Sequence, residues 1–409
     1  MSFTTLGLGP KLLQSIADAG YTQPTPIQTA AIPRLLAGRD LIGIAQTGTG
    51  KTAAFVLPLL ERIASHPKQT RNARALIVAP TRELALQIDE HVRMLGSHLR
   101  IRCATIFGGV GESPQIQAVR RGVDVIVATP GRLLDLMSSG HVSLANVEIA
   151  VLDEADRMLD MGFLPQIRRV VKALPKKRQT LLFSATLSSD IEKITAEFLN
   201  APETVEIGRR ANPAESVAQF LYPVPKSRKI DLLAHLLRDQ SLDSVLVFSR
   251  TKHGADKIVC KLQALNVKAA ALHSNRSQSQ RVAALDAFKS GRARVLVATD
   301  IASRGIDVEG ISHVVNFDFP MHAEDYVHRI GRTGRADAVG DAISFVTPDD
   351  EPYVKDLEKM TKKTVARKRV DGFDYTEAPA SAHHLSRPAH QRRPAHAPPA
   401  QRAFARRRP

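Results

Sequence analysis

Cysteine is scarce: the 409-residue chain has two, Cys103 and Cys260, in different halves. That excludes a disulfide framework and a cysteine-based metal site, and suits two thiols in a reducing compartment. No run approaches the roughly 18 apolar residues of a membrane-spanning helix. Lys11 and Asp18 fall where a secretory leader would have its apolar segment, so none is expected. These absences predict a cytoplasmic protein with no membrane partner. No short-period repeat is present either.

Acidic residues are missing from one segment altogether. From Ala378 onward there are seven Arg, four His, six Pro and no Asp or Glu. Such a segment buries too little to offset its ordering entropy, so a disordered basic tail is expected over 366–409. Its last 40 or so residues would reach roughly 35 Å by random-coil scaling. Residues 361–409 hold 12 Lys/Arg against 3 Asp/Glu, a net +9 of the chain's +16, which leaves +7 for residues 1–360. The balance favours a polyanionic partner, nucleic acid ahead of an anionic membrane. With a folded part only mildly basic, charge alone does not make that case.

Apolar strand-like runs alternate with helical patterns in two stretches. The first includes Ala75–Ala79, Val123–Ala128, Ile149–Leu152 and Thr180–Phe183; the second includes Ser244–Phe248, Arg294–Ala298, His313–Phe317 and Asp341–Val346. This predicts an α/β chain of two parallel sheets with helices on both faces. The polar stretch Gly208–Ser216, with Pro213, marks an interdomain linker. The expected division is 1–207, a linker at 208–217, 218–365, and the tail.

A glycine-rich turn, Ala45-Gln-Thr-Gly-Thr-Gly-Lys-Thr52, follows an apolar strand and opens a helix. Backbone N–H groups over Thr47, Gly48, Thr49 and Gly50 can face phosphate oxygens, Lys51 can neutralise them, and Thr52 can ligate Mg2+. Ala45 stands where the general pattern has Gly, and the bland alternative is a simple helix-capping turn. Asp153-Glu154-Ala155-Asp156 lies 102 residues after Lys51, at the end of a second buried strand. It supplies what the loop lacks: Asp153 as metal-side carboxylate and Glu154 as general base or water-orienting group. Asp156 equally suits a helix-N-terminal acid favoured by the macrodipole.

With several further motifs in order, from Phe3 to about Val346, the chain resembles the DEAD-box ATP-dependent RNA helicases. The motifs are Gly20-Tyr-Thr-Gln-Pro-Thr-Pro-Ile-Gln28, Pro80-Thr-Arg-Glu-Leu-Ala85, Gly108-Gly109, Thr129-Pro-Gly-Arg132, the Asp153 tetrad and Ser184-Ala-Thr186. In the second half they are Val247-Phe-Ser-Arg-Thr251, Ala298-Thr-Asp-Ile-Ala-Ser-Arg-Gly-Ile-Asp307 and His328-Arg-Ile-Gly-Arg-Thr-Gly-Arg335. The opening Met-Ser-Phe, the short N-terminus and the basic tail are similar to the bacterial RhlE-type group. The resemblance implies two tandem RecA-like domains, ATP and Mg2+ as cofactors, and RNA-stimulated hydrolysis coupled to domain closure.

It also implies site roles. Gln28 would read the adenine edge and Phe3 stack on its ring, although a lone aromatic also suits a core anchor. Arg332 and Arg335 would be arginine fingers reaching the γ-phosphate on closure. Gly305 and Asp307 would border the ribose. His328 would couple the domains toward Asp156, Ser184 and Thr186; a capped surface histidine is the plainer alternative. Arg82, Gly108, Gly109, Thr129, Pro130, Gly131 and Arg132 match first-domain RNA contacts, and Arg250, Ser274, Arg281 and Thr299 match those of the second. Such contacts read backbone and 2′-OH rather than bases. Ser274 departs from the family's usual Gly after His, which weakens the expectation of a close phosphate approach there. The implied activity is local unwinding of short duplexes and RNP remodelling by a monomeric core, in ribosome or RNA-decay assemblies. An ATP-gated RNA clamp or annealing platform is the alternative, and a DNA motor the third.

Overall fold

The computed structural model describes residues 2–45, 48–66, 70, 72–187, 189–207, 217–303, 311–333 and 340–376. Two seven-stranded sheets, each with every recorded strand pair parallel, form two lobes. The first contains β1 (Leu41–Ile44), β2 (Ala75–Val78), β3 (Cys103–Ile106), β4 (Val125–Ala128), β5 (Ile149–Leu152), β6 (Gln179–Ser184) and β7 (Glu203–Glu206), in the order β3-β4-β2-β5-β6-β1-β7. The second contains β8 (Val217–Pro223), β9 (Val245–Phe248), β10 (Ala269–Leu272), β11 (Val295–Ala298), β12 (His313–Asn316), β13 (Gly340–Val346) and β14 (Ala366–Arg367), in the order β10-β11-β9-β12-β13-β8-β14.

The apolar runs become strands because helices cover both faces of each sheet. Alternation then sorts the side chains: Leu41, Ile77, Val151 and Phe183 enter one core of the first lobe, while Ile42, Val78, Leu152 and Leu182 enter the other. Gly43 is needed in β1, since a Cβ there would lie 2.5 Å from the Phe183 ring.

The sequence patterns find the edge strands β3 and β10 but miss β7, β8 and β14 at the other side of each sheet. β7 is Glu-Thr-Val-Glu with only Val205 buried, and β8 mixes buried and half-buried positions. Neither carries the continuous apolar run that marked the central strands. The expected tail also starts too early. Residues 366–376 are built into the second lobe: β14 pairs with β8, Lys368 lies over the Phe220 ring at 3.3 Å, and Arg228 holds Asp374 at 2.6 Å and the Thr376 carbonyl at 2.7 Å. The aromatic pair Phe373–Tyr375, with centroids 4.9 Å apart, gives this segment an apolar anchor that composition from Ala378 onward lacks. The linker residues 208–216 and residues 377–409 lie outside the described residues. No helix among the described residues is long and apolar enough to cross a membrane.

The two thiols differ. Cys260 is exposed, whereas burial pushes the Cys103 thiol far up from its ordinary value, with Asp89 adding to the effect. Reactivity follows the thiolate fraction. Timed alkylation read by peptide mass spectrometry should modify Cys260 more than about tenfold faster than Cys103 in the native protein. Equal rates would contradict this environment.

Candidate active site

Apart from Phe3 and Gln28, which precede β1, the first-lobe candidates lie at or after carboxyl ends of parallel strands, where open α/β sheets bind ligands. The glycine-rich turn leaves β1, Arg82 follows β2, Gly108 and Gly109 follow β3, Thr129 follows β4, and Asp153 follows β5.

Gly48 and Gly50 have φ of +82° and +87°, and Gly50 caps the helix Lys51–Ser65. A Cβ on Gly50 would meet Gln28 Nε2 at 2.5 Å. That close approach carries a bond: Gln28 Nε2 donates to the Gly50 carbonyl at 3.1 Å, while Gln28 Oε1 accepts from Thr25 N–H at 3.0 Å. Gln28 is 0% exposed and here ties the helix Pro26–Leu36 to the loop, rather than presenting an open amide. Phe3 is 4% exposed and meets Tyr21 edge-on at 6.3 Å, the geometry of the core-anchor alternative; no open face remains for stacking. Buried Lys51 donates to the Ala45 carbonyl, so its ammonium lies against the loop. Thr52 follows in the first helical turn. Thr47, Gly305, Asp307 and Arg335 lie outside the described residues.

Asp153 N–H is held by the Val78 carbonyl at 2.9 Å, which fixes the turn leaving β5. Burial, then the neighbouring Glu154 charge, pushes the Asp153 carboxyl up to about 7, against the pull of Lys51. Glu154 adopts left-handed backbone, φ 51° and ψ 53°. A non-glycine residue held there costs about 1–3 kcal/mol and turns the side chain out of the strand path. Its carboxylate accepts from Arg157. Burial would raise this carboxyl; the charges of Arg157, then Arg332 and Lys51, outweigh it and hold Glu154 below the ordinary range. Arg332 belongs to the second lobe, so its charge reaches the tetrad of the first.

Asp156 joins the tetrad to the end of β6. Its Oδ2 accepts from the backbone N–H of Ala185 at 3.0 Å and of Thr186 at 3.2 Å, and from the Thr186 hydroxyl at 3.3 Å; Ser184 Oγ donates to the Thr186 carbonyl at 2.8 Å. His328 does not join them: it is exposed and makes no side-chain hydrogen bond among the described residues.

The candidate RNA residues partly converge. Arg82 lies over Gly109, where a Cβ would sit 2.1 Å from the guanidinium. Arg132 Nη1 donates to the Val110 carbonyl at 3.2 Å, in the same loop. Burial and the charges of Arg281 and Arg132 hold the Arg82 guanidinium below its ordinary value, with Glu83 opposing, so cations from both lobes gather here. Gly108 and Gly131 border open space. Thr129 caps the helix Pro130–Ser138, which starts with Pro130. Arg281 is buried and pairs with Glu83 across the lobes at 2.9 Å, and Gln278 donates to the other Glu83 oxygen at 3.1 Å. Arg250 is exposed but tethered, donating to the Phe319 carbonyl at 3.2 Å and lying 3.7 Å from Asp350. Ser274 is exposed beside buried His273, which contacts Asp256 at 2.8 Å. Thr299 is half-buried at the end of β11.

Sequence reasoning missed several supporting residues. Glu83 reads as a first-turn acid, and nothing in its neighbours tells that it receives Arg281 and Gln278. Gln115 holds the Gly108 loop with paired 3.1 Å bonds to the Phe107 N–H and carbonyl. Asp300 grips Arg329 through two contacts, 2.6 and 2.7 Å, and so docks the helix Ala323–Ile330, which carries Arg332 just beyond its end. Both Asp300 and Arg329 lie inside recognised motifs; only their partnership was hidden.

The DEAD/DEAH box helicase family profile matches residues 25–194, and that of the helicase conserved C-terminal domain matches residues 228–337. The chain is 43% identical over 373 residues to a protein described as DEAD-box ATP-dependent RNA helicase CshA from Bacillus cereus, covering 91% of this chain and 70% of that one. It is 46% identical over 359 residues to DEAD-box ATP-dependent RNA helicase 30 of Arabidopsis thaliana, covering 86% and 60%. Among solved structures, S. cerevisiae Dbp5 bound to RNA and ADP BeF3 superposes with a TM-score of 0.79 at 35% identity, covering 90% of this chain and 95% of that one.

Proposed function

The chain belongs to the DEAD-box family of ATP-dependent RNA helicases, and on that premise we propose how its own residues divide the work. The fold is two tandem RecA-like domains, and the activity is RNA-dependent ATP hydrolysis coupled to RNA remodelling. The observation that carries the division is the reach of Arg332, from the second lobe, to Glu154 in the first.

In this reading Lys51 leaves the Ala45 carbonyl for the β/γ-phosphates, and Glu154 orients the attacking water and takes its proton. Arg332 and Arg335 face the charge that develops on the transferred phosphoryl group. Gly305 and Asp307 border the ribose. Gln28 senses the nucleotide through its bond to Gly50, and Phe3 supports the element from the core. The buried carboxyl of Asp153 at a strand end and the hydroxyl of Thr52 in the first turn after the glycine-rich loop are oxygen donors of the kind that fits Mg2+, which takes few protein ligands and completes its shell with phosphate and water. Thr52 and Asp153 would hold that ion, which neutralises phosphate charge when bound. Asp156, Ser184 and Thr186 relay the state of the tetrad to the closed lobes, with His328 arriving on closure.

RNA phosphates follow Arg82, Gly108, Gly109 and Arg132, over the Thr129-Pro130-Gly131 helix start, and continue to Arg250, Ser274, Arg281 and Thr299. The domains are 1–207 and 217–376, joined by 208–216. A place in the RhlE-type group rests on the opening Met-Ser-Phe and the basic tail, beside CshA-type relatives of 43% identity. The setting proposed is cytoplasmic, on ribosome-assembly or RNA-decay substrates.

The direct test is steady-state ATPase activity with and without single-stranded RNA. Strong stimulation by RNA and little by matched DNA is expected. RNA binding without stimulated turnover would indicate the ATP-gated clamp, and stimulation by DNA alone a different substrate class. The tail has its own test. Removing 377–409, which leaves β14 and the Phe373–Tyr375 anchor in place, should weaken RNA binding and flatten its salt dependence, because seven Arg are lost. An unchanged slope would exclude the tail as a tether.

A further inference from the structure

The phosphate, metal and RNA residues assigned so far in the first lobe follow carboxyl ends of strands. A separate cleft of about 640 Å³ opens at the opposite edge of the same sheet, where the chain enters β2, β3 and β4. Its rim carries Lys11, Arg74, Arg100 and Arg102 against one acid, Asp124. Leu99 and Ile101 lend it an apolar wall.

The nearby acids are already engaged. Asp124 Oδ2 accepts from Arg102 N–H at 2.9 Å and from its Nε at 3.3 Å, and Glu148 holds the Arg74 guanidinium at 2.7 Å. Arg74 is 2% exposed and also donates to the Ile63 carbonyl at 3.0 Å, so it is structural. Arg102 is fixed in place: its Nη1 donates to the Arg121 carbonyl at 3.1 Å, and its guanidinium rests on Gly122, where a Cβ would come within 2.9 Å. Lys11 and Arg100 are exposed and make no side-chain hydrogen bond or ion pair among the described residues. The cleft therefore presents one oriented guanidinium and two cations not neutralised there, beside an aliphatic wall. This combination suits phosphates with bases laid on apolar surface.

We propose that this cleft is a second docking site for the phosphate backbone of single-stranded RNA, engaged whether or not nucleotide is bound. It lies within one lobe, so it requires no lobe closure. An acidic peptide has the same charge, but RNA has the advantage of proximity: a strand held at the other edge of the sheet is only about 13 Å away along a four-residue strand, plus loops. Its free end is thus presented to the cleft at high effective concentration. The proposal extends the RNA-helicase reading to a face that reading does not use.

The test uses the full chain with Lys11→Glu and Arg100→Glu together; neither residue belongs to the nucleotide site or the first RNA track. Binding of an unstructured single-stranded RNA is measured without nucleotide across a salt series. The variant should bind several-fold more weakly at low salt. Its plot of log K against log salt should be shallower by about 1.4, from two phosphate contacts at roughly 0.7 each. The kcat for ATP at saturating RNA should be unchanged. Affinity and slope equal to the unsubstituted protein would overturn the proposal, as would loss of polyglutamate binding with RNA binding intact. If the double Glu variant does not fold, Lys11→Gln with Arg100→Gln decides, since neutralisation removes the same two contacts. Failure of the helicase reading would show separately, as absent RNA stimulation in the unsubstituted protein.

Discussion

Glu154→Gln is expected to lower RNA-stimulated kcat by about 10²–10⁴-fold, the usual contribution of a positioned general base. The substitution keeps the shape and an oxygen for Arg157 while removing the ability to accept a proton. The contrast with Asp153 supports the assignment. Glu154 is held below the ordinary carboxylate range by Arg157, Arg332 and Lys51, so it is ionised at neutral pH, whereas burial and the Glu154 charge push Asp153 up to about 7. RNA binding in the presence of ATP should survive, because neither the Arg82 cluster nor the lobe contact through Glu83 is touched. Parallel ATPase and RNA-binding assays check this. Loss of both together would mean that Glu154 acts through its ion pair with Arg157 as a structural element.

Arg332→Ala should cost on the order of a thousandfold or more in kcat, the scale of a guanidinium aimed at a transferring phosphoryl group. Arg332→Lys should recover little, since a point ammonium does not reproduce the planar fork. Thermal unfolding should change little, because Asp300 and Arg329 dock the helix before it. A second signature follows from charge. Arg332 helps hold the Glu154 carboxyl down, so its removal raises that carboxyl. Activity needs the ionised form and is lost as pH falls through the carboxyl's range. The acid limb of the residual kcat profile should therefore move to higher pH. An unshifted limb with the same loss of rate would separate Arg332 from Glu154 and place its effect on binding alone.

The two central sheets were legible because parallel strands buried on both faces must be apolar throughout, as in Ile149–Leu152 and Val295–Ala298. The glycine-rich turn and the Asp153 tetrad were legible because phosphate and metal chemistry restricts residue types at fixed spacing. What the sequence hid were partnerships. Glu83 with Arg281, Asp300 with Arg329, and Gln28 with Gly50 each join segments at least 22 residues apart, and no local pattern records a distance in space. Phe3 shows the complementary difficulty: an aromatic beside a ligand element and an aromatic in a core have the same local sequence. Strand β7 was hidden for a third reason. An edge strand such as Glu203–Glu206 buries one side chain and leaves composition close to that of a loop.

The two-residue β14 bears on how the protein keeps to itself in a crowded solution. It covers part of β8, at the rim of the second sheet, and Lys368 lies over Phe220 on that strand. Remove this cover and β8 offers bare amide and carbonyl groups to any extended chain nearby, the usual starting point for strand-by-strand aggregation. The short strand, with a lysine beside it, thus serves as a guard against self-association, and a chain ended at 365 would keep every motif while losing that protection.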